Sequence, residues 1–356
     1  MSVARKPTAA RARVVNGSGR DGQATINDIA RLAGVSKKTV SRVINRSPLV
    51  HDDTRAKVLA LMSEQGYVPD PQARGLAFRR SFLIGLVYDN PNAQYIVNVQ
   101  NGALDTLRGT GFELVVHPCD SKSADFVAGV RQFVMQLKLH GLILLPPVSE
   151  DAALAAALRE LDCRYVRIAS VKLDEPEHLV VSNDRDAAAE VADYLESLGH
   201  REIALITGPR NYRSTHERAE GFVQQLARRG IALPASRVEE GGYTFESGVA
   251  SAERLLAVSP RPTAIFACND EMAAGAYKAA FRLGLRIPEQ LSIIGFDDSP
   301  LASRLWPPLT TVRLPIREMG RNAAAMLMSE QGKDEARQYS ILTPHLVARD
   351  SCQPPR

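Results

Sequence analysis

The sequence has few cysteines, no long apolar run and no hydrolytic or metal-binding signature, and each absence removes a class of protein. Only four cysteines occur in 356 residues, at Cys119, Cys163, Cys268 and Cys352, with neither C-x-x-C spacing nor a neighbouring histidine cluster. That excludes a disulfide-stapled scaffold and a Cys/His zinc site, and reduced thiols are expected. No stretch approaches the roughly 18 consecutive apolar residues of a membrane span. The first residues lack a signal peptide's apolar centre, so no membrane contact and a cytoplasmic location are expected. G-x-S-x-G and H-E-x-x-H are both absent and the seven histidines are dispersed, which leaves no hydrolytic or metal constellation and no expected cofactor. A literal G-x-G-x-x-G does occur at residues 17–22, but it follows a polar arm instead of a strand, so it reads as linker.

What is present is a chain that is 45% hydrophobic and 24% charged, long enough for a small head and two core-sized lobes. The net charge of +4 conceals an asymmetry. Residues 1–80 carry 15 Lys+Arg against 6 Asp+Glu, a balance of +9, and residues 81–356 carry 29 against 34, a balance of −5. Basic charge gathered at one end suits a protein that meets a polyanion there.

The basic end contains the stretch 25–77, around which the rest is organised. Thr25 followed by Asp28 is a capping-box-like helix start, and Ile26, Ile29, Ala30 and Ala33 recur at helical spacing until Gly34 breaks the pattern. Ser36 then caps a second helix with Val40, Val43 and Ile44 as its apolar stripe, and Lys37, Lys38, Ser41, Arg42 and Asn45 off that stripe. Two short helices about a glycine turn form the layout that reads a DNA major groove; the bland alternative is a helical hairpin with a solvated basic face. Asp52 and Asp53 are expected to precede a third amphipathic helix carrying Val58, Leu61 and Met62, which Tyr67-Val68-Pro69-Asp70-Pro71 terminates.

The run T-x-x-D-I-A-x-x-A-G-V-S-x-x-T-V-S-R-V-I-N from Thr25, then Y-V-P at Tyr67 and A-R-G-L-A at Ala73, resembles the DNA-binding headpiece and hinge of the LacI/GalR family of bacterial repressors. Residues 1–24, Arg- and Ala-rich with few apolar anchors, are expected to be a disordered arm, and the resemblance implies a helix-turn-helix domain at 25–69, a hinge helix at 70–80 and an effector-binding and dimerisation domain at 81–350. Lys37 and Lys38, in the first turn of the second helix, are the expected base readers, since a lysine can donate to guanine O6 and N7. Ser36, Thr39, Ser41, Arg42 and Asn45 are expected at phosphates or flanking bases, and Thr25 is a further expected DNA-binding residue. The hinge, weakened by Gly75, is too short to fold alone and should order only with DNA and a partner subunit. By resemblance Ala73 lies against the minor groove and Leu76 is the wedge that opens a base step; the alternative is a plain linker with Leu76 packed on the next lobe.

Beyond the hinge, near-continuous apolar runs at 82–88, 112–116, 141–145, 203–207, 264–268 and 291–296 alternate with helix-like stretches, for example 94–108, 185–198 and 215–229. Buried strands alternating with helices imply parallel sheets covered on both faces. The length predicts two α/β lobes divided near Asn183, and the family resemblance makes this a periplasmic-binding-protein-like core of two doubly wound lobes. Lobe one is expected at 81–183 plus 314–332 and lobe two at 184–313 plus 338–350, with chain crossings at 181–183, 311–314 and 331–340.

Ligands of open α/β sheets bind at the carboxyl ends of strands. Arg218, Asp297, Asn269 and Tyr243 all follow such strands and match, by resemblance, residues that touch effector. Arg218 can fork across adjacent hydroxyls, Asp297 accepts, Asn269 does both, and Tyr243 can stack on a sugar ring. Each has a structural alternative: a surface ion pair of Arg218 with Glu217 or Glu220, a turn for Asp297, a helix cap for Asn269, core packing for Tyr243. Asn90, Asn92 and Tyr95, after the first strand, complete the set from the opposite lobe.

The expectation is therefore a homodimeric repressor of carbohydrate-utilisation genes that binds a pseudo-palindromic DNA operator under control of a sugar-type effector. No leucine heptad follows Pro344, which argues against a tetramerisation helix. The rival readings are a solute-binding protein, which the basic helical head disfavours, and a carbohydrate-processing enzyme, which predicts turnover of the sugar.

Overall fold

The computed structural model describes residues 24–44, 47, 49–67, 81–329 and 340–356. The expected arm up to residue 23, the hinge at 70–80 with Ala73 and Leu76, and Asn45 lie outside the described residues. The chain divides into two compact units, Met1–Arg80 and Ser81–Arg356.

In the first unit α1 (Ile26–Ala33) opens on a capping box: Asp28 accepts from the Thr25 backbone N–H at 3.0 Å and its hydroxyl at 2.7 Å, and the hydroxyl oxygen accepts from Asp28 N–H at 3.4 Å. Such a cap stabilises a helix by about 1 kcal/mol. Gly34 ends α1 in the left-handed region, φ 70°, a conformation that a side chain would strain. Helices α2 (Lys37–Ile44) and α3 (Asp52–Glu64) follow, and Ile29, Val40, Val43 and Val58 from all three form the core, with Ile26, Leu61, Met62 and Tyr67 packed at its edge. Asp52 and Asp53 do not precede α3 as expected but form its first turn, where their charge favours the positive end of the helix.

The second unit alternates strands and helices. Its first half runs β1 (Leu83–Tyr88), α4 (Ala93–Leu107), β2 (Glu113–Pro118), α5 (Phe126–Leu137), β3 (Gly141–Leu144), α6 (Ala152–Glu160), β4 (Arg164–Ala169) and β5 (Leu179–Ser182). Next come α7 (Asp184–Ser197), β6 (Ile203–Thr207), α8 (Arg213–Arg228), β7 (Val238–Glu240), α9 (Phe245–Leu256), β8 (Ala264–Ala267) and α10 (Asp270–Arg282). The chain ends with β9 (Ser292–Asp297), α11 (Pro300–Arg304), β10 (Thr310–Arg313), α12 (Ile316–Met328), β11 (Ser340–Leu342) and β12 (His345–Val347).

Two six-stranded sheets result, ordered β11-β5-β4-β3-β1-β2 and β12-β10-β9-β8-β6-β7. The two orders are equivalent, and in each the order reverses between the first strand and its inner neighbour, β1 beside β3 and β6 beside β8. That reversal opens a crevice at the strands' carboxyl ends, where ligands of such sheets sit. Pairing is parallel throughout except that β12 runs antiparallel to β10, a departure from the all-parallel expectation. The interiors are apolar: Ile84, Leu86, Leu142 and Ile143 in the first sheet and Ala204, Leu205, Ile265 and Phe266 in the second are fully buried. Each large aliphatic or aromatic side chain buried in this way contributes about 1.5–3 kcal/mol.

The chain passes between sheets three times. After β5 it enters α7 and the second sheet, and after β10 it returns through α12, which packs on β4 and against α4. The α12–α4 approach is so close that a Cβ on Gly102 would strike the Arg317 carbonyl and one on Gly320 the Val99 carbonyl. The third crossing corrects the expectation. Because β11 pairs in parallel with β5 of the first sheet, the crossing lies at residues 343–344, between β11 and β12, and not at 331–340. Residues 340–342 therefore belong to the first sheet, contrary to a second lobe resuming at 338.

Candidate functional site

In the first unit the second helix is held by its entry and its buried stripe. The Ser36 hydroxyl accepts from Thr39 N–H at 3.1 Å and pairs with the Thr39 hydroxyl at 2.9 Å. Val40 and Val43 face the core, which turns Lys37 and Lys38 fully outward and leaves Thr39, Ser41 and Arg42 half-exposed. Lys37, Lys38 and Arg42 have no ion-pair partner among the described residues. The Arg55 guanidinium donates to the carbonyls of Ser47 at 2.7 Å and Val50 at 3.2 Å, tying the loop after α2 to α3. A helix presenting lysines and hydroxyls at its positive N-terminal end can bind phosphate and reach base edges.

The second unit has a half-open cavity of about 40 Å³ between the carboxyl ends of its two sheets. A buried water needs about 10–15 Å³ by the same measure, so the space as it stands suits a few waters. All seven residues expected at the cleft line it: Asn90, Asn92 and Tyr95 from the first-sheet side, and Arg218, Tyr243, Asn269 and Asp297 from the second.

Arg218, in α8, is 5% exposed. Its Nε donates to Asp184 at 2.7 Å and its Nη1 to the Cys268 carbonyl at 2.5 Å; Asp297 stands 3.7 Å away and the guanidinium lies 3.7 Å over the Phe296 ring. The alternative of a surface ion pair does not hold, because Glu217 and Glu220 pair with Arg185, at 2.8 and 2.5 Å. Burial pushes the Asp297 carboxyl up to about 8 against the opposing pull of Arg218. Asp297 ends β9 at φ 110°, a rare conformation for a side-chain-bearing residue, held here where the side chain meets the cavity.

Asn269 is both helix cap and cavity wall. Its carbonyl oxygen accepts from Met272 N–H at 2.9 Å, starting α10, and its amide donates to the Tyr243 carbonyl at 3.0 Å. Tyr243 adopts φ 60°, and its hydroxyl pairs with Thr215 at 2.9 Å. Its ring meets Tyr212 edge-on at 5.3 Å and lies where a Cβ on Gly208 would be, so only glycine fits there. Tyr243 is thus packed as core on one side and lines the cavity on the other.

On the first-sheet side Asn92 caps α4, accepting from Tyr95 N–H at 3.2 Å, while its amide reaches across the cavity to Asp297 at 3.3 Å. Asn90 accepts from Asn92 N–H at 2.8 Å and fixes that loop. Burial raises the Tyr95 phenol, which stays neutral. Two further bonds join the sides: the Tyr212 hydroxyl donates to the Asp89 carbonyl at 3.1 Å, and the Glu150 carboxylate accepts from Arg213 N–H at 2.9 and 3.1 Å. Burial pushes Glu150 up to about 7.

Asp184, Tyr212, Ser214, Pro146, Ile168, Ala169 and Leu314 also line the cavity and are absent from the expected set. Asp184 is legible in principle, since it follows strand β5 as Asn269 follows β8. Among the described residues no group of three or more His, Cys, Asp or Glu could hold a metal ion, and no helix is long and apolar enough to cross a membrane.

Headpiece and cleft together define a class, a DNA-binding three-helix unit joined to a two-sheet ligand-binding core. Comparison with known proteins makes the class a family. The model of bacterial regulatory proteins of the lacI family matches residues 25–70, and that of a periplasmic binding protein-like domain matches residues 192–352. The probable HTH-type transcriptional repressor ExuR of Bacillus subtilis is 33% identical, over 92% of this chain and 98% of its own. Among solved structures, a lac repressor dimer bound to operator and the anti-inducer ONPF superposes with a TM-score of 0.76 at 28% identity, covering 93% of this chain and 99% of that one. A complex of the transcriptional regulator CelR with cellobiose does so with a TM-score of 0.69 at 29% identity, covering 92% and 100%. The chain belongs to the lacI family of bacterial regulatory proteins.

Proposed function

We propose that the protein is a cytoplasmic transcriptional repressor that binds a pseudo-palindromic operator as a homodimer and is controlled by a sugar-type effector in the cleft. The observation that carries the effector half is the meeting of Arg218, Asp297, Asn269 and Asn92 in one cavity, from strand ends far apart in sequence. Donors and acceptors interleaved in this way match a ligand rich in hydroxyls. The names of the relatives support the same reading, since one is a repressor, one structure holds operator and anti-inducer, and another holds cellobiose.

Lys37 and Lys38 read base edges, while Thr25, Ser36, Thr39, Ser41, Arg42 and Asn45 set register on phosphates and flanking bases. The segment 70–80 folds as a hinge helix when two copies meet on DNA, with Ala73 at the minor groove and Leu76 as the wedge. Exposed apolar residues support a two-fold assembly: Val97, Leu104 and Val116 beside the first sheet, and Phe281, Leu283 and Trp306 beside the second. The protein binds its ligand without turnover and acts as a regulator, not an enzyme. A gel-shift on the promoter upstream of its own gene, repeated with a sugar panel, tests this reading. Salt-sensitive retardation altered by one sugar is expected; no retardation at low salt contradicts the regulator, and turnover of the sugar replaces it with an enzyme.

A further inference from the structure

The charge inventory of the cavity narrows the ligand beyond a sugar-type molecule. Its lining contains one cation, Arg218, and two carboxylates, Asp184 and Asp297, with no lysine, histidine or second arginine among the described lining residues. The cation is not available as a counter-charge, because Asp184 already holds it at 2.7 Å and both groups are buried. The remaining polar atoms come from the neutral Asn90, Asn92, Asn269 and Ser214 and from phenols.

Resting on the effector reading above, we infer that the cleft selects an uncharged polyhydroxylated ligand and rejects anionic sugars such as uronates and sugar phosphates. Of the five N–H groups of Arg218, two are spent on Asp184 and the Cys268 carbonyl, which leaves three for ligand oxygens. Those donors serve hydroxyl oxygens without needing net charge. Asp297 and the amide oxygens accept the hydroxyl protons, so each diol finds both partners. A carboxylate or phosphate in the same place brings a charge that no free cation meets, because Asp184 already offsets Arg218, and the Asp297 carboxyl, which burial holds above its ordinary value, gains only repulsion by ionising beside it. Pro146, Ile168, Ala169 and Leu314 supply an apolar wall that suits the C–H faces of a ring and offers an anion nothing.

The test titrates the full-length protein with matched pairs: D-glucose, D-galactose and D-ribose, each against its uronate or phosphate ester, by calorimetry and thermal shift. A neutral sugar is expected to bind at least about tenfold tighter than its anionic partner, the scale of one charge left without a counter-ion in a poorly screened site. An anionic member binding tighter than its neutral parent overturns the inference. Silence of the whole panel, with operator binding intact, overturns the sugar reading and the inference with it. Asp184→Asn, which releases the guanidinium, is expected to close the gap by admitting the anion. Should that variant fail to fold, Asp297→Asn, titrated at about pH 9 where the carboxyl of the parent is ionised, removes the other carboxylate and is expected to act in the same direction. A gap unchanged in a folded variant overturns the charge argument and leaves the sugar reading standing.

Discussion

The two halves of the core share one strand order and differ in what they bring to the cleft. The second-sheet side supplies the charges and the strain: Arg218 and Asp297, with Asp297 and Tyr243 both at positive φ. The first-sheet side supplies neutral amides, the loop residue Asn90 and the helix cap Asn92, and apolar wall. Topology therefore places a crevice but does not fill it. One side is preorganised to hold a polar ligand through buried, mutually bonded groups, and the other closes over it with bonds weak enough to break, such as Asn92 to Asp297 and Tyr212 to Asp89.

The sharpest way to break that asymmetry is Arg218→Ala. It leaves Asp184 and Asp297 buried without their cation, so a loss of about 3–5 kcal/mol in core stability is expected together with loss of effector response. Operator binding at low temperature should persist, since the headpiece is untouched. Gel-shift with and without effector and a denaturation curve check this; a variant that still responds to sugar removes Arg218 from the site.

The next effect is on pH. Burial pushes Asp297 up to about 8 and Asp270 and Glu150 each up to about 7, all far above their values in an unfolded chain. Folded values above unfolded ones mean stability fully present near pH 4 and progressively lost as pH rises through 7 to 8. Asp297→Asn should flatten that decline by more than about 1 kcal/mol, because every tenfold difference in proton affinity between the folded and unfolded chain is worth about 1.4 kcal/mol. Melting curves from pH 5 to 9 decide it; an undiminished slope in the variant would contradict the assignment.

A smaller change isolates the other unit. Lys37→Ala should weaken operator binding by about 1–3 kcal/mol and relax base preference at one position while leaving effector affinity as it was. Binding to a library of operator variants shows whether the loss is specific to one position, as a base reader requires, or uniform, as a phosphate contact requires. Smallest is Asn92→Ala, which removes a helix cap and one bond across the cleft. About 1 kcal/mol of stability should be lost, with a weaker effector affinity and an unchanged operator affinity in the absence of ligand. An effector affinity equal to that of the parent would take Asn92 out of closure.

Much of this architecture is legible in the sequence alone. The capping box at Thr25, the glycine turn at Gly34 and the apolar stripe of Val40 and Val43 are local features, and local chemistry decides them. Most of the seven cleft residues are legible because an apolar strand runs up to them, so the rule of carboxyl ends applies one strand at a time; Tyr243 is the exception, since it follows the short polar strand Val238–Glu240. What escapes depends on partners distant in sequence. Strand β4 does not stand out as an apolar run because Arg167 interrupts it, and that arginine is tolerated in the core only because the Ser149 carbonyl and Asp174 receive it. Asp184 follows a strand as Asn269 does, but its partnership with Arg218 is not legible, since nothing near it in sequence announces that arginine. The third crossing differs from its expected place because the pairing of the three-residue β11 with β5 leaves too short a signal in sequence.

Cleft and headpiece form a single switch only if they are coupled, and coupling between two binding sites is reciprocal. The direct measurement is calorimetric titration of the effector sugar into the full-length protein with and without saturating operator DNA, alongside operator binding with and without saturating sugar. The same factor is expected from both experiments, about 5- to 150-fold. A sugar that binds the cleft with equal affinity in the presence and absence of operator would contradict the coupling.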